Sequence, residues 1–320
     1  MDLSKMNLSE LSKLNEEQAR ETIERIRWPS GPVCPHCGCV DGHTKLNGKK
    51  HRPGVWKCNA GCGEQFTVTV NSVMEGSHIS IRHWLMAFSI ICSAKKGISA
   101  LQLQRQLGLG SYRSAWHLCH RIRHAMLQEP LKGLLEGTVI ADETYVGGKR
   151  RRGEKRRQPG RGTPKTPVVA LVERGGRARA WPITYVNART LHKALRDNVH
   201  QSATIHTDEF AGYKGVGQHF AGGHHTVNHG KGEYYRDGVS TNDAEAFFSL
   251  LKRGVMGSFH HISKKHMHRY CNEFSFRWNY RKDDDASRTI AAIRAGDGKR
   301  LMYQDPIRKM VRADDPSAPF

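Results

Sequence analysis

Cysteine spacing constrains this chain more than any other feature. Cys34-Pro35-His36-Cys37 forms one C-x2-C pair, and Cys58-Asn59-Ala60-Gly61-Cys62 a C-x3-C pair after 20 intervening residues. Two cysteine pairs at that separation close a tetrahedron of thiolates around Zn²⁺. The stretch around them, rich in Gly, Cys and Pro, is too small to bury a sufficient apolar core. A metal would supply its folding energy. Gly38 and Gly63 suit the tight turns beside the knuckles. Cys39 and His36 are rival ligands, and the C-x3-C pair is one residue longer than the commonest knuckle. Cys92, Cys119 and Cys271 sit in apolar helical contexts and are expected in cores.

The charge is strongly one-sided. Lys and Arg number 51 against 30 Asp and Glu, a formal net charge of +21. Such a field recruits polyanions, nucleic acid first among them. No run of about 18 apolar residues exists, so no membrane span is expected. The N-terminal stretch lacks the apolar core of a secretory signal. Both readings favour a reducing cytoplasm, where cysteines serve as metal ligands or buried thiols.

Hydrophobic periodicity divides the rest. Residues 8–27 read as a helical arm, and Gln65 to Val70 as a short strand. Ile81 to Leu107 and Ser111 to Met126 have helical spacing around Gly108-Leu109-Gly110, a helix-turn-helix-like pattern. Strand periods follow at Thr138–Asp142, Pro167–Val172, Ala180–Val186 and Ala203–Asp208. A helix fits Ala188 to Val199, and a long helical stretch begins near Asn242. Pro182 pushes its strand toward a sheet edge. The expected organisation is an N-terminal helical arm (1–29), a zinc ribbon (30–76), a helix-turn-helix-like region (77–130), an α/β catalytic domain with a mixed sheet (135–285) and a C-terminal tail (286–320).

Three carboxylates stand out. Asp142 and Asp208 each end an apolar strand, with 65 residues between them, and Glu245 follows on a helix after 36 more. Strand ends open onto the crevice where α/β sheets place their sites. Hard oxygen ligands from two strands and a helix suit Mg²⁺ or Mn²⁺. Each aspartate has an acidic neighbour, Glu143 or Glu209, and strand alternation excludes one of each pair. Asn242, Glu245, Ser249 and Lys252 share one face of the helix. Ala244, Phe247, Phe248 and Leu251 form a separate apolar face. Glu245 could instead be only a capping-box glutamate. The histidines include His224, His225 and His229 before this helix and His260, His261, His266 and His268 after it. They show no clean ligand pattern and read as phosphate contacts or partly buried polar groups. Between Lys149 and Lys165 lie nine Lys or Arg and one acid, Glu154. Lys149, Arg150, Arg151, Arg152, Lys155, Arg156 and Arg157 of this loop are candidate DNA contacts.

These motifs together resemble insertion-sequence DDE transposases of the ISXO-two-like group. The resemblance spans about residues 20–285. It rests on Cys34 to Gly38, Asp142 to Lys149, Thr207-Asp208, Val227-Asn228-His229 and Ser240 to Gly254. It implies an RNase H-like catalytic domain behind the ribbon. Asp142 and Asp208 would be the first and second metal carboxylates and Glu245 the third, with Asn242 and Lys252 as associated positions. Members vary at the third position, which leaves Asn242 and Glu245 both open. The implied activity is metal-dependent cleavage and strand transfer on double-stranded DNA, namely terminal inverted repeats and a target, by a multimer at the nucleoid. A DNA-binding regulator and an RNase H-like nuclease or resolvase are the rival readings.

Overall fold

The computed structural model describes residue 3 and residues 6–48, 50–127, 133–147 and 165–303. The basic positions 149–157 and residues 314–320 lie outside the described residues.

The helical arm is two helices, α1 (Leu8–Lys13) and α2 (Glu16–Arg27). Asn15 separates them because its side chain accepts the Gln18 N–H while the Gln18 side chain takes the Asn15 N–H. This reciprocal cap starts a new helix at its own angle. The ribbon sheet follows as β1 (His43–Leu46), β2 (Val55–Cys58) and β3 (Gln65–Phe66), all antiparallel. The strand expected to run to Val70 stops at Phe66. Beyond it, Val70 N–H turns back to the Thr67 carbonyl, while Val68 remains buried.

Three helices come next: α3 (Ile81–Ser93), α4 (Ala100–Leu107) and α5 (Tyr112–Ala125). Gly108 closes α4 at φ 62°, a left-handed cap that favours glycine. From Ala115 onward most of α5 is buried, so only its first turn (Tyr112, Arg113, Ser114) is fully exposed.

A five-stranded sheet forms the second half. Its strands are β4 (Thr138–Val146), β5 (Thr166–Glu173), β6 (Ala178–Pro182), β7 (Thr204–Asp208) and β8 (His224–Val227), in the order β6-β5-β4-β7-β8. The first three pair antiparallel, whereas β7 and β8 run parallel to β4. This mixed sheet has the order and sense of an RNase H-like domain. Pro182 ends the edge strand β6, where its missing N–H costs no ladder bond. Strand β8 was not legible beforehand, because His224-His225-Thr226 is polar and pairs at the opposite edge.

Alternation along β4 sorts its side chains between two cores. Ile140 and Val146 pack with α7 (Asn242–Gly254) and α8 (Met267–Asn279). Val139 and Ala141 pack with α6 (Ala188–Asn198). The long helix expected after Asn242 breaks at Gly254 into a π-type turn, Val255–Phe259, before α8. A Cβ at Gly254 would sit 2.2 Å from the Phe274 ring, so the two helices meet there closely. Residues 286–320 are not all tail: α9 (Asp285–Arg294) buries Ala286, Ala292 and Ile293 in the N-terminal core beside α3.

That N-terminal core and the catalytic half are clamped by charge. Glu273 on α8 is fully buried and accepts from Arg123 of α5 and Arg277 of α8, each at 2.6 Å. Arg277 also donates to the carbonyls of Ile91 on α3 and of Ala94, which caps that helix. Arg123 lies over the Tyr270 ring at 4.3 Å. Burial alone would raise the Glu273 carboxyl, but the two guanidinium groups hold it below its usual range.

Candidate metal and nucleic-acid sites

In the ribbon, Cys34, Cys37, Cys58 and Cys62 bring their sulfurs within 4.8 Å of one another. Cys34 lies 3.6 Å from Cys62 and Cys37 lies 3.7 Å from Cys58. A tetrahedron with Zn–S bonds of about 2.3 Å has sulfur–sulfur edges of about 3.8 Å, so the cluster has the size Zn²⁺ requires. Backbone N–H groups of Cys39 and Cys62 hold the Cys37 thiol down to about 5, which favours the thiolate a metal needs. Gly61 is required here, since a Cβ would fall 2.9 Å from the Cys39 sulfur and 3.0 Å from that of Cys37. Cys39 therefore stands beside the cluster without joining it, and its carbonyl instead meets the His43 ring at 2.9 Å. Cys92, Cys119 and Cys271 are all buried.

The carboxylates converge through register. Ile140 of β4 lies opposite His206 of β7 in a parallel pair, and the same register carried two residues on brings Asp142 near Asp208. Asp208 ends β7, but Asp142 does not end its strand as expected: β4 runs on to Val146 because it stays paired with β5, so Asp142 stands at mid-strand where the β7 pairing stops. Helix α7 packs on β4, and Glu245 near its start comes close enough for its charge to act on Asp142. Burial, reinforced by the nearby charges of Glu143, Asp208 and Glu245, pushes the Asp142 carboxyl up to about 7. Carboxylates crowded in this way are relieved by a divalent cation, and an all-oxygen set from two strands and a helix suits Mg²⁺ or Mn²⁺. The carboxylates are set wider than the thiolates: among the described residues only the four cysteines bring three or more ligand atoms within 4.8 Å.

The acidic neighbours point elsewhere. Glu143 accepts from the buried Tyr213 hydroxyl at 2.9 Å on the opposite face of β4. Glu209 accepts the N–H groups of His229 and Gly230 at 2.9 and 3.1 Å and so ties down the loop after β8. The capping reading of Glu245 does not hold. Thr241 is the N-cap, which makes Ala244 the third helical residue and Glu245 the fourth. Instead the Thr241 hydroxyl lies 3.4 Å from Glu245 Oε1 and shares a 3.0 Å hydrogen bond with the His229 ring. His229 Nδ1 is 3.8 Å from the same carboxylate. Asn242, Glu245, Ser249 and Lys252 are all exposed along one stripe of α7. Asn242 opens the helix and Lys252 lies in its last turn.

Sequence reasoning missed the Arg123–Glu273–Arg277 clamp and the turn after α7. The clamp joins residues 150 positions apart, for which periodicity holds no signal. Gly254 and Gly257 were the available hints for the turn.

No helix among the described residues is long and apolar enough to cross a membrane. Residues 134–279 match the family model described as the ISXO2-like transposase domain, and residues 14–65 match the Transposase zinc-ribbon domain. No curated protein matches the chain. Both matched models name one insertion-sequence family, and together they cover more than half of the residues. The chain belongs to the ISXO2-like, IS1595 family of DDE transposases, with that family's zinc ribbon at its N-terminal end.

Proposed function

We propose that this protein cuts and rejoins DNA by phosphoryl transfer at Asp142, Asp208 and Glu245. One observation carries the reading: the β4–β7 register brings two aspartates near each other, and α7 brings a third carboxylate close enough to act on Asp142. Asp142, Asp208 and Glu245 would hold Mg²⁺ or Mn²⁺, which when bound activates an attacking oxygen and stabilises the leaving one. Asn242 is the alternative third position.

The protein's own groups do the rest. Tyr213 occupies Glu143, and the N–H groups of His229 and Gly230 occupy Glu209, so that the site offers one carboxylate per element. Thr241 and His229 hold Glu245 at the head of α7. Lys252, two turns further along the same stripe, meets the DNA backbone beside the cut. In-line displacement needs positioned charge and no covalent enzyme intermediate. First water, then the freed 3′-hydroxyl, serves as nucleophile. The partners are double-stranded DNA carrying the element's terminal inverted repeats and a target, held by a multimer at the nucleoid. Lys149, Arg150, Arg151, Arg152, Lys155, Arg156 and Arg157 add phosphate contacts, so affinity falls steeply with salt.

Incubation of supercoiled plasmid carrying the element's ends with protein and Mg²⁺ tests this. Nicking and joined products are expected from the native chain and neither from Asp142→Asn. Joining that persists in Asp142→Asn overturns the assignment. Cleavage without joining favours the nuclease reading, and DNA binding with neither favours the regulator.

A further inference from the structure

Two cavities meet where β4 ends and β5 begins, beyond Asp142. One, of about 680 Å³, is floored by Pro167, Pro182 and Ile183, with Tyr145 and Tyr185 at its walls and Lys264 at its rim. The other, of about 510 Å³, lies between the β4 end and the turn after α7 and is lined by Lys252, Met256, His260 and His261. Tyr145 and Lys165 line both, so the two form one groove around the strand ends.

Three features mark this groove as a binding surface. Its described lining holds three lysines and two histidines and no acid. Tyr185 and Met256 are 70% and 77% exposed, an unusual amount of apolar surface to leave beside lysines. The wall after α7 is a π-type turn ended by His260 at φ 57°, a conformation that non-glycine residues adopt only under constraint. Cations that meet phosphates, interleaved with flat apolar side chains, make a stacking platform for single-stranded nucleic acid. A paired, stacked base cannot present its face to Tyr145 or Tyr185, whereas an unpaired one can.

We infer that this groove receives an unpaired nucleotide of the DNA strand next to the cut, its phosphate on Lys252 and Lys165 and its base against Tyr145 and Tyr185. The inference rests on the proposed phosphoryl-transfer site. Lys252 is seven residues beyond Glu245 on one face of α7, about 10 Å along the helix, so the nucleotide lies within a few positions of the scissile phosphate. The protein thus recognises a frayed or distorted end in addition to duplex DNA.

The probes are a blunt duplex and the same duplex with a four-nucleotide single-stranded overhang containing 2-aminopurine. The native protein should bind the overhang form about tenfold more tightly and quench its fluorescence by stacking. Tyr185→Ala should lose that preference and the quenching, Tyr185→Phe should keep both, and all should bind blunt duplex alike. Tyr185 is exposed, so these changes leave the core intact. Equal affinity of the native protein for both probes overturns the inference, as does an overhang preference that survives Tyr185→Ala. Overhang preference and quenching in a protein that nicks no DNA with Mg²⁺ would uphold the groove while refuting the carboxylate site.

Discussion

The cysteine cluster of the ribbon and the proposed carboxylate site both have the donor chemistry of metal sites, yet they are built in opposite ways. The ribbon takes its ligands from two short knuckles whose sulfurs close to 3.6 and 3.7 Å across the cluster. The proposed catalytic site gathers its carboxylates from two strands and a helix, and they stand further apart. The first depends on its metal to fold. The second depends on a sheet and two helical layers that fold without one. Loss of metal should therefore unfold the ribbon and only silence the catalytic half.

The largest expected effect breaks the ribbon. Cys58→Ser removes a buried thiolate, and structural zinc in such modules is worth about 10 kcal/mol of folding free energy or more. Bound zinc, measured by atomic emission, should fall to background, and residues 30–66 should become protease-sensitive. The catalytic half should keep its thermal transition. Zinc content equal to the native protein's would remove the thiolate cluster from the account. Next in size is the third carboxylate. Glu245→Gln should lower Mg²⁺-dependent cleavage by about a thousandfold, the scale of several kcal/mol of lost charge stabilisation. Asn242→Ala should cost about tenfold, since Asn242 stands at the helix head. The reverse ranking would assign the third position to Asn242.

The same contrast explains what could be read in advance. Cysteine pairs are local, so their spacing is already their geometry. Asp142 and Asp208 stood out as candidates because each follows an apolar run; alternation along β4 sends Glu143 to the other face, whereas Glu209 lies just past the end of β7 and is drawn off by the loop after β8. Their adjacency was not legible, since it depends on which strands pair. Strand β8 hid behind polar His224 and His225, and α9 hid beyond the matched catalytic region. The split at Asn15 and the break after Gly254 are local events that a long apolar period conceals. The Arg123–Glu273–Arg277 clamp was least legible, because each residue taken singly looks like an ordinary surface charge.

That clamp supplies the third prediction. Glu273→Gln leaves two buried guanidinium groups facing a neutral amide, and breaking a buried ion pair in this way costs about 3–4 kcal/mol. The urea midpoint should drop while zinc content stays unchanged. Unchanged stability would mean that the two halves do not rely on α5 and α8 for their union.

The smallest effect probes the same interface through pH. His120 of α5 is fully buried, and neither ring nitrogen has a hydrogen-bond partner. Burial, then the neighbouring Arg123, pushes its imidazole down to about 2. In the unfolded chain a histidine takes up its proton near 6.5, so below that pH the unfolded state binds one proton more. Stability therefore falls as pH drops through 6.5, by about 1.4 kcal/mol per unit for this group, and is untouched by it above. His120→Leu removes both the orphaned nitrogens and the proton uptake. It should raise stability by about 1 kcal/mol at pH 7.5, and the gap over the native protein should widen at pH 5.5. Zinc-bound thiolates also titrate toward acid, but they do so equally in both proteins and cancel in the difference. Denaturation curves that stay parallel between pH 7.5 and 5.5 would show that His120 reaches solvent in the folded protein and that acid weakens the ribbon alone.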